Sequence, residues 1–245
     1  MIFDTFTIVV LFLCFIWSGF IRASLGVGAS ILMLPFALLV VNTPLIIMPI
    51  VATHAVILSS LTVLQHFYNV SWKHVGIFLG ITFIPFIIGL YGLIQLPEKW
   101  LVLLAYIITL IYSLYYIFPR PVVKKSTIFD LVALIIGGYI NGLSFTGGPP
   151  IAAVMSKHVS KQQFRDTFLA MVILIATIKL STFYWLGISL QSQLQLIVIP
   201  AVLLGHVMGL RFHRYFMNMD ERIFYRWLGV VLLMVTLVGV TKTLI

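Results

Sequence analysis

Two glycine-rich breaks carry the residues of this chain best suited to chemistry. The first is Leu25-Gly26-Val27-Gly28-Ala29-Ser30 and the second is Ser144-Phe145-Thr146-Gly147-Gly148-Pro149-Pro150. Each opens a short apolar stretch. A helix that begins there, in apolar surroundings, presents unpaired N–H groups and about half a positive charge at its first turn. In a low dielectric such an end is an anion site that needs no charged side chain. Glycine permits a sharp turn and close ligand approach. Pro149 suits a first helical turn because the N–H it lacks would be unpaired there. The candidate substrate contacts are Gly26, Gly28 and Ser30 in the first break, and Ser144, Thr146, Gly147, Gly148 and Pro149 in the second. The same glycines also fit a packed kink, although irregular backbone at membrane depth normally lines a cavity.

Four further polar residues interrupt apolar runs and complete the candidate set: Arg22, His54, Asn141 and Lys179. An ionised group near the centre of a bilayer costs about 2.5–3.5 kcal/mol on insertion scales. Arg22 and Lys179 are therefore expected either to offset the charge of a bound anion or to snorkel to the headgroups. Arg22 and Asn141 are 119 residues apart, the spacing that also separates Gly19 from Gly138 and Gly28 from Gly147. His54 lies mid-run beside Thr53, with Thr62 and Gln65 along the same helical face. An imidazole there can bind substrate, carry a proton or bond a backbone carbonyl in the core.

Composition dictates the elements that hold these residues. Of 245 residues, 62% are hydrophobic and 9% charged, against about 25% charged in a soluble domain. Eight long apolar segments run over 3–24, 45–68, 75–96, 98–118, 128–144, 164–186, 191–212 and 223–244. Two shorter ones, 28–41 and 148–157, rise about 1.5 Å per residue and cannot cross about 30 Å of hydrocarbon. The expected fold is all-α: a polytopic membrane bundle of about eight long helices plus two short re-entrant or half-helices, arranged as two pseudo-symmetric repeats. Residues 1–118 form the first repeat, 119–127 a cytoplasmic linker and 128–245 the second. Breaks at corresponding places in two repeats point to a transporter site. Paired small residues at Gly76/Gly80, Gly138/Gly142 and Gly205/Gly209 suggest close helix packing.

The net charge of +9 is read through its distribution. If each short segment folds back, the repeats are inverted and one side holds Lys73, Arg120, Lys124, Lys125, Lys157, Lys161, Arg165, Arg211, Arg214, Arg222 and Arg226, while the other holds Lys99 and Lys242. If each short segment merely completes the helix before it, the split is more even. The positive-inside rule selects the inverted arrangement, with both termini outside the cytoplasm. The basic excess is thus topological and implies no nucleic-acid partner. The one cysteine, Cys14, excludes an internal disulfide scaffold. No metal-ligand spacing, Walker A loop or nucleophile elbow occurs, so neither a cofactor nor an ATPase of the chain's own is expected. Asp4, Glu98, Asp130, Asp166, Asp220 and Glu221 all fall at or near segment ends, which leaves no carboxylate mid-span.

The run Gly138-Tyr139-Ile140-Asn141-Gly142-Leu143-Ser144-Phe145-Thr146-Gly147-Gly148-Pro149-Pro150 resembles the second-half glycine motif of the TauE/SafE family of sulfite exporters and sulfonate permeases. The stretch from Gly19 to Pro35 resembles its first-half counterpart. Ala52-Thr53, and His66 with Asn69-Val70-Ser71-Trp72, resemble the segment between them. The resemblance implies a transporter of sulfite, thiosulfate or organosulfonates in the cytoplasmic membrane. A secondary carrier for a small anion bound at the paired breaks is the leading expectation, with the lipid bilayer as its environment and a homo-oligomer possible. The alternatives are an anion channel and an intramembrane enzyme with Ser144 as nucleophile and His54 or His206 as base.

Overall fold

The computed structural model describes residues 3–25, 28–118, 126–216 and 221–244, and it is all-helical over them. Ten α-helices follow in order: α1 Thr5–Leu25, α2 Ala29–Val40, α3 Pro44–Gln65, α4 Trp72–Gln95, α5 Glu98–Ile117, α6 Thr127–Ser144, α7 Gly148–Met155, α8 Lys161–Trp185, α9 Ser192–Phe216 and α10 Glu221–Leu244. Eight are long and apolar enough to cross a membrane, and α2 and α7 are the two short ones. Large apolar side chains such as Ile84, Phe129 and Leu196 stand exposed. A water-facing surface of that kind would be costly, whereas a lipid-facing one is not. Most of the expected linker, residues 119–125, lies outside the described residues.

A shift of 119 residues carries each of α1–α5 onto α6–α10 in turn, so the duplication extends through the whole helix order. The chain divides into two compact units, and neither is a simple half. One comprises Met1–Pro44, Leu96–Lys124 and Leu196–Ile245; the other comprises Leu45–Gln95 and Lys125–Gln195. Each unit therefore combines helices from both repeats.

In the first unit α1 packs on α9, with Gly19 against the Val202 carbonyl, Gly205 against that of Ile16 and Gly209 against that of Phe20. In the second unit α4 packs on α6, with Gly138 against the Thr82 carbonyl and Gly142 against that of Phe86. Both pairs run parallel, since rising numbers meet rising numbers. They are also the same contact twice, because α1 corresponds to α6 and α9 to α4. Lipid tails are as apolar as leucine, so such contacts depend on close van der Waals approach rather than apolar burial. A Cβ at these glycines would meet backbone. Gly76 and Gly80 depart from that expectation: both are exposed and a Cβ would meet nothing within 4 Å. They share the spacing but face away from the chain's own helices.

Within each unit, the equivalent helices it holds run in opposite directions. In the first unit α5 and α10 are antiparallel, Ser113 and Ile117 meeting Gly229 while Tyr106 meets Gly239. In the second unit the end of α3 meets the start of α8, where Ser71 N–H donates to Thr167 Oγ1 at 3.0 Å and Asn69 Nδ2 to Asp166 Oδ2 at 3.4 Å. Farther back, midway along α3, Thr53 Oγ1 accepts at 3.1 Å from Gln195 Nε2, in the first turn of α9 that follows α8. Repeat-related helices that oppose one another define inverted repeats.

Candidate functional site

The second break is a hairpin, not a kink. Helix α6 ends at Ser144, and α7 turns back along it: Gly137 lies against Ile151 and Pro150, and Gly147 against Asn141. The turn uses Phe145, whose φ of 58° and ψ of 10° are left-handed, with its N–H donating to Asn141 O at 3.1 Å. A residue with a Cβ loses about 1–2 kcal/mol in that conformation. The Lys179 ammonium sits 3.9 Å from the centroid of the Phe145 ring, and a buried cation–π contact of this kind contributes about 2 kcal/mol. The two terms are of similar size, so a non-glycine turn residue is tolerable here. Ser144 and Thr146, both buried, share a hydrogen bond between hydroxyls at 2.6 Å, and Ser144 Oγ also reaches Ile140 O at 3.2 Å.

Lys179 does not snorkel. It projects from α8 with no exposed surface and donates to Asn141 O at 3.1 Å. That carbonyl belongs to the last turn of α6 and also accepts the Phe145 N–H, so the lysine is its second donor. The role of position 141 is therefore carried in part by its backbone. Among the described residues no carboxylate pairs with Lys179; the ion pair found there is Lys157 with Asp130. His54 is in the same unit, buried on α3. Beside it Thr53 Oγ1 donates to Pro49 O, and Thr62 Oγ1 to Leu58 O.

The first break belongs to the other unit. Gly26 lies outside the described residues. Gly28 precedes α2 with φ 89°, a conformation for which glycine is the natural choice, and a Cβ there would meet nothing within 4 Å. Gly147, its counterpart, has an ordinary φ of −74° but no room for a Cβ. Equivalent glycines thus answer different constraints. Arg22 is buried in the last turn of α1, the helix equivalent to α6.

The two half-helix starts also differ in donors. In α2 the first intrahelical bond is Leu32 N–H to Gly28 O at 3.1 Å, so Ala29, Ser30 and Ile31 bring three first-turn N–H groups. In α7, Gly148 brings one, because Pro149 and Pro150 have none. The expectation that proline suits this start holds sterically, but it removes two of three donors.

Sequence reasoning missed Phe145, for which no residue-type signal exists, since left-handed turns are ordinarily read from glycine or asparagine. It also missed what Asn69 and Ser71 do. They clamp the turn after α3 to α8 through Asp166 and Thr167, all four in one unit.

The family model described as sulfite exporter TauE/SafE matches residues 11–239, nearly the whole chain. No curated protein and no solved structure matches it.

Proposed function

The chain belongs to the sulfite exporter TauE/SafE family, a family of membrane transporters and not of enzymes, and from that premise we propose that it is a secondary carrier of small sulfur oxyanions: sulfite, thiosulfate or organosulfonates. The observation that carries the reading is the pair of half-helices placed by the duplication. Each unit holds one, and each begins within a chain whose long helices are of spanning length. Such an end offers a compact oxyanion positive potential and N–H donors where no water competes. On the first break, Gly28, Ser30 and the first-turn amides of α2 serve as contacts, with Arg22 as the nearby cation. On the second, the contacts are Gly147, Gly148 and the Ser144 and Thr146 hydroxyls. Lys179 and Asn141 support that end, and Pro149 fixes its first turn. Gly26 and His54 complete the proposed set.

We further propose that both termini are extracytoplasmic in a cytoplasmic membrane. The fold-back of α7 on α6 supports this orientation, because it is what the strongly asymmetric distribution of positive residues requires.

Uptake of labelled sulfite, thiosulfate and methanesulfonate by proteoliposomes tests the proposal. Saturable flux that competes among the three is expected. Absence of saturable anion flux would overturn the carrier reading, and single-channel currents would replace it with a channel.

A further inference from the structure

Prolines stand inside four helices: Pro35 in α2, Pro49 in α3, Pro85 in α4 and Pro200 in α9. Each lacks the N–H that the carbonyl four residues earlier would receive, which opens one bond of the helix ladder. Pro35 and Pro85 have packing partners. The Tyr106 hydroxyl donates to Pro35 O at 3.3 Å, and the Pro85 ring lies against Gly138 in the crossing of α4 with α6. Pro49 and Pro200 are set apart by where they fall. The chain leaves one unit for the other between Pro44 and Leu45, and again between Gln195 and Leu196. The carbonyls that Pro49 and Pro200 leave without a ladder donor are those of Leu45 and Leu196. Each opened bond thus starts at the residue with which the chain enters the next unit. A third crossing, between Gln95 and Leu96, lies in the connection from α4 to α5 and interrupts no helix.

The connections ahead of α3 and α9 would ordinarily supply the flexibility, but each is fastened to the unit that the chain is leaving. Ahead of α3, Val41 N–H donates to Ala37 O at 2.9 Å and Thr43 Oγ1 to Glu98 Oε2 at 3.2 Å, all in the first unit. Ahead of α9, Ile188 N–H donates to Phe183 O at 2.9 Å. There the buried Gln195 also donates through Nε2 to Leu190 O at 2.6 Å and to Thr53 Oγ1 at 3.1 Å, all in the second unit. Gln195 is the last residue before the crossing, so its tie holds the connection to its end. Bending is therefore displaced past Thr43 and Gln195, into the turns that the two prolines open. Thr53 Oγ1 also donates to Pro49 O at 2.9 Å, a back-bond that competes with the ladder and loosens the same stretch of α3.

We infer that Pro49 and Pro200 are the hinges of the transport cycle: the early turns of α3 and α9 bend there while the two units move as bodies. Alternating access moves one bundle against another, and hinges are a few element-terminal positions that absorb the backbone rotation. A proline inside a helix supplies such a point without a loop. The inference rests on the carrier reading above, and neither proline is among the residues which that reading assigns to the anion.

Alanine at either position restores the ladder donor and stiffens the turn, whereas glycine restores the donor and leaves the backbone free to rotate. The test measures labelled sulfite uptake by proteoliposomes holding Pro49→Ala, Pro49→Gly, Pro200→Ala or Pro200→Gly, with the melting temperature of each in detergent. Each alanine variant is expected to lose about tenfold in maximal rate, with its half-saturation concentration within about twofold of wild type and its melting temperature at or above wild type. Each glycine variant is expected to keep its maximal rate within about threefold of wild type despite a lower melting temperature. Slower turnover in a protein that is no less stable marks a stiffened hinge, and a merely structural proline does not produce it. A wild-type maximal rate in either alanine variant would overturn the inference and leave the carrier reading intact. So would a lower melting temperature or a raised half-saturation concentration in an alanine variant, or equal losses of rate with alanine and glycine. If a glycine variant does not fold, its alanine counterpart decides by rate and melting temperature together. No saturable uptake by the wild type would overturn the carrier reading and this inference with it.

Discussion

Gly147 lies so close to α6 that a Cβ on it would stand 2.6 Å from the backbone nitrogen of Asn141 and overlap the carbonyl oxygen of Gly137. Both obstacles are backbone, which cannot rotate aside as a side chain can. Gly147→Ala is therefore expected to separate α7 from α6 and to destabilise the protein by about 3 kcal/mol, the upper part of the overpacking range. Gly28→Ala faces open space and only the left-handed backbone, so about 1–2 kcal/mol is expected. Thermal unfolding in detergent ranks the two. A Gly28→Ala protein less stable than Gly147→Ala would contradict the hairpin packing.

The parallel crossings of α1 with α9 and of α4 with α6 make a second ranking. Gly142→Ala and Gly205→Ala push a methyl into backbone carbonyls, whereas Gly80→Ala adds one to an exposed surface. The first two should each lose about 1–3 kcal/mol, and Gly80→Ala should stay within about 0.5 kcal/mol of wild type. Loss of stability in Gly80→Ala alone would show that the α4 face is covered by something other than this chain.

The clamp after α3 is predicted to be structural. Thr167 is fully buried, and its hydroxyl accepts from Ser71 N–H at 3.0 Å. Thr167→Val keeps the shape but leaves a polar N–H unpaired, at about 1–3 kcal/mol. A lower melting temperature with an unchanged KM for sulfite is expected. A raised KM at unchanged melting temperature would instead place this turn at the substrate.

Helix number, the two short helices and the repeat were legible in the sequence because apolar run length and the 119-residue spacing are properties of the chain itself. The fold-back was legible indirectly, through the positions of positive residues. What stayed hidden were relations between distant segments. The burial of Lys179 depends on α8 passing the end of α6, which its apolar neighbours Ile178 and Leu180 do not report. Phe145 occupies a left-handed turn through a contact with a residue 34 positions away. Gly76 and Gly80 carry the same spacing as Gly138 and Gly142, and only the packing separates them.

Pro149 offers the sharpest test of where the anion sits. In α7, Gly148 alone brings a first-turn N–H, since Pro149 and Pro150 have none. Pro149→Ala restores one donor in a position where alanine is at least as compatible with a helix. A hydrogen bond to a charged group contributes about 1.5–3 kcal/mol at most when fully realised. If sulfite is held at this end, its KM should fall by about two- to tenfold, a gain that generic damage to a membrane protein does not produce. The same substitution should leave the melting temperature within a few degrees of wild type, because Pro149 is only half-buried and the side chains of α7 that meet α6 at Gly137 are those of Pro150 and Ile151. An unchanged or higher KM in a folded Pro149→Ala protein would remove the α7 start from the binding site. It would leave the three first-turn amides of α2 as the stronger candidate.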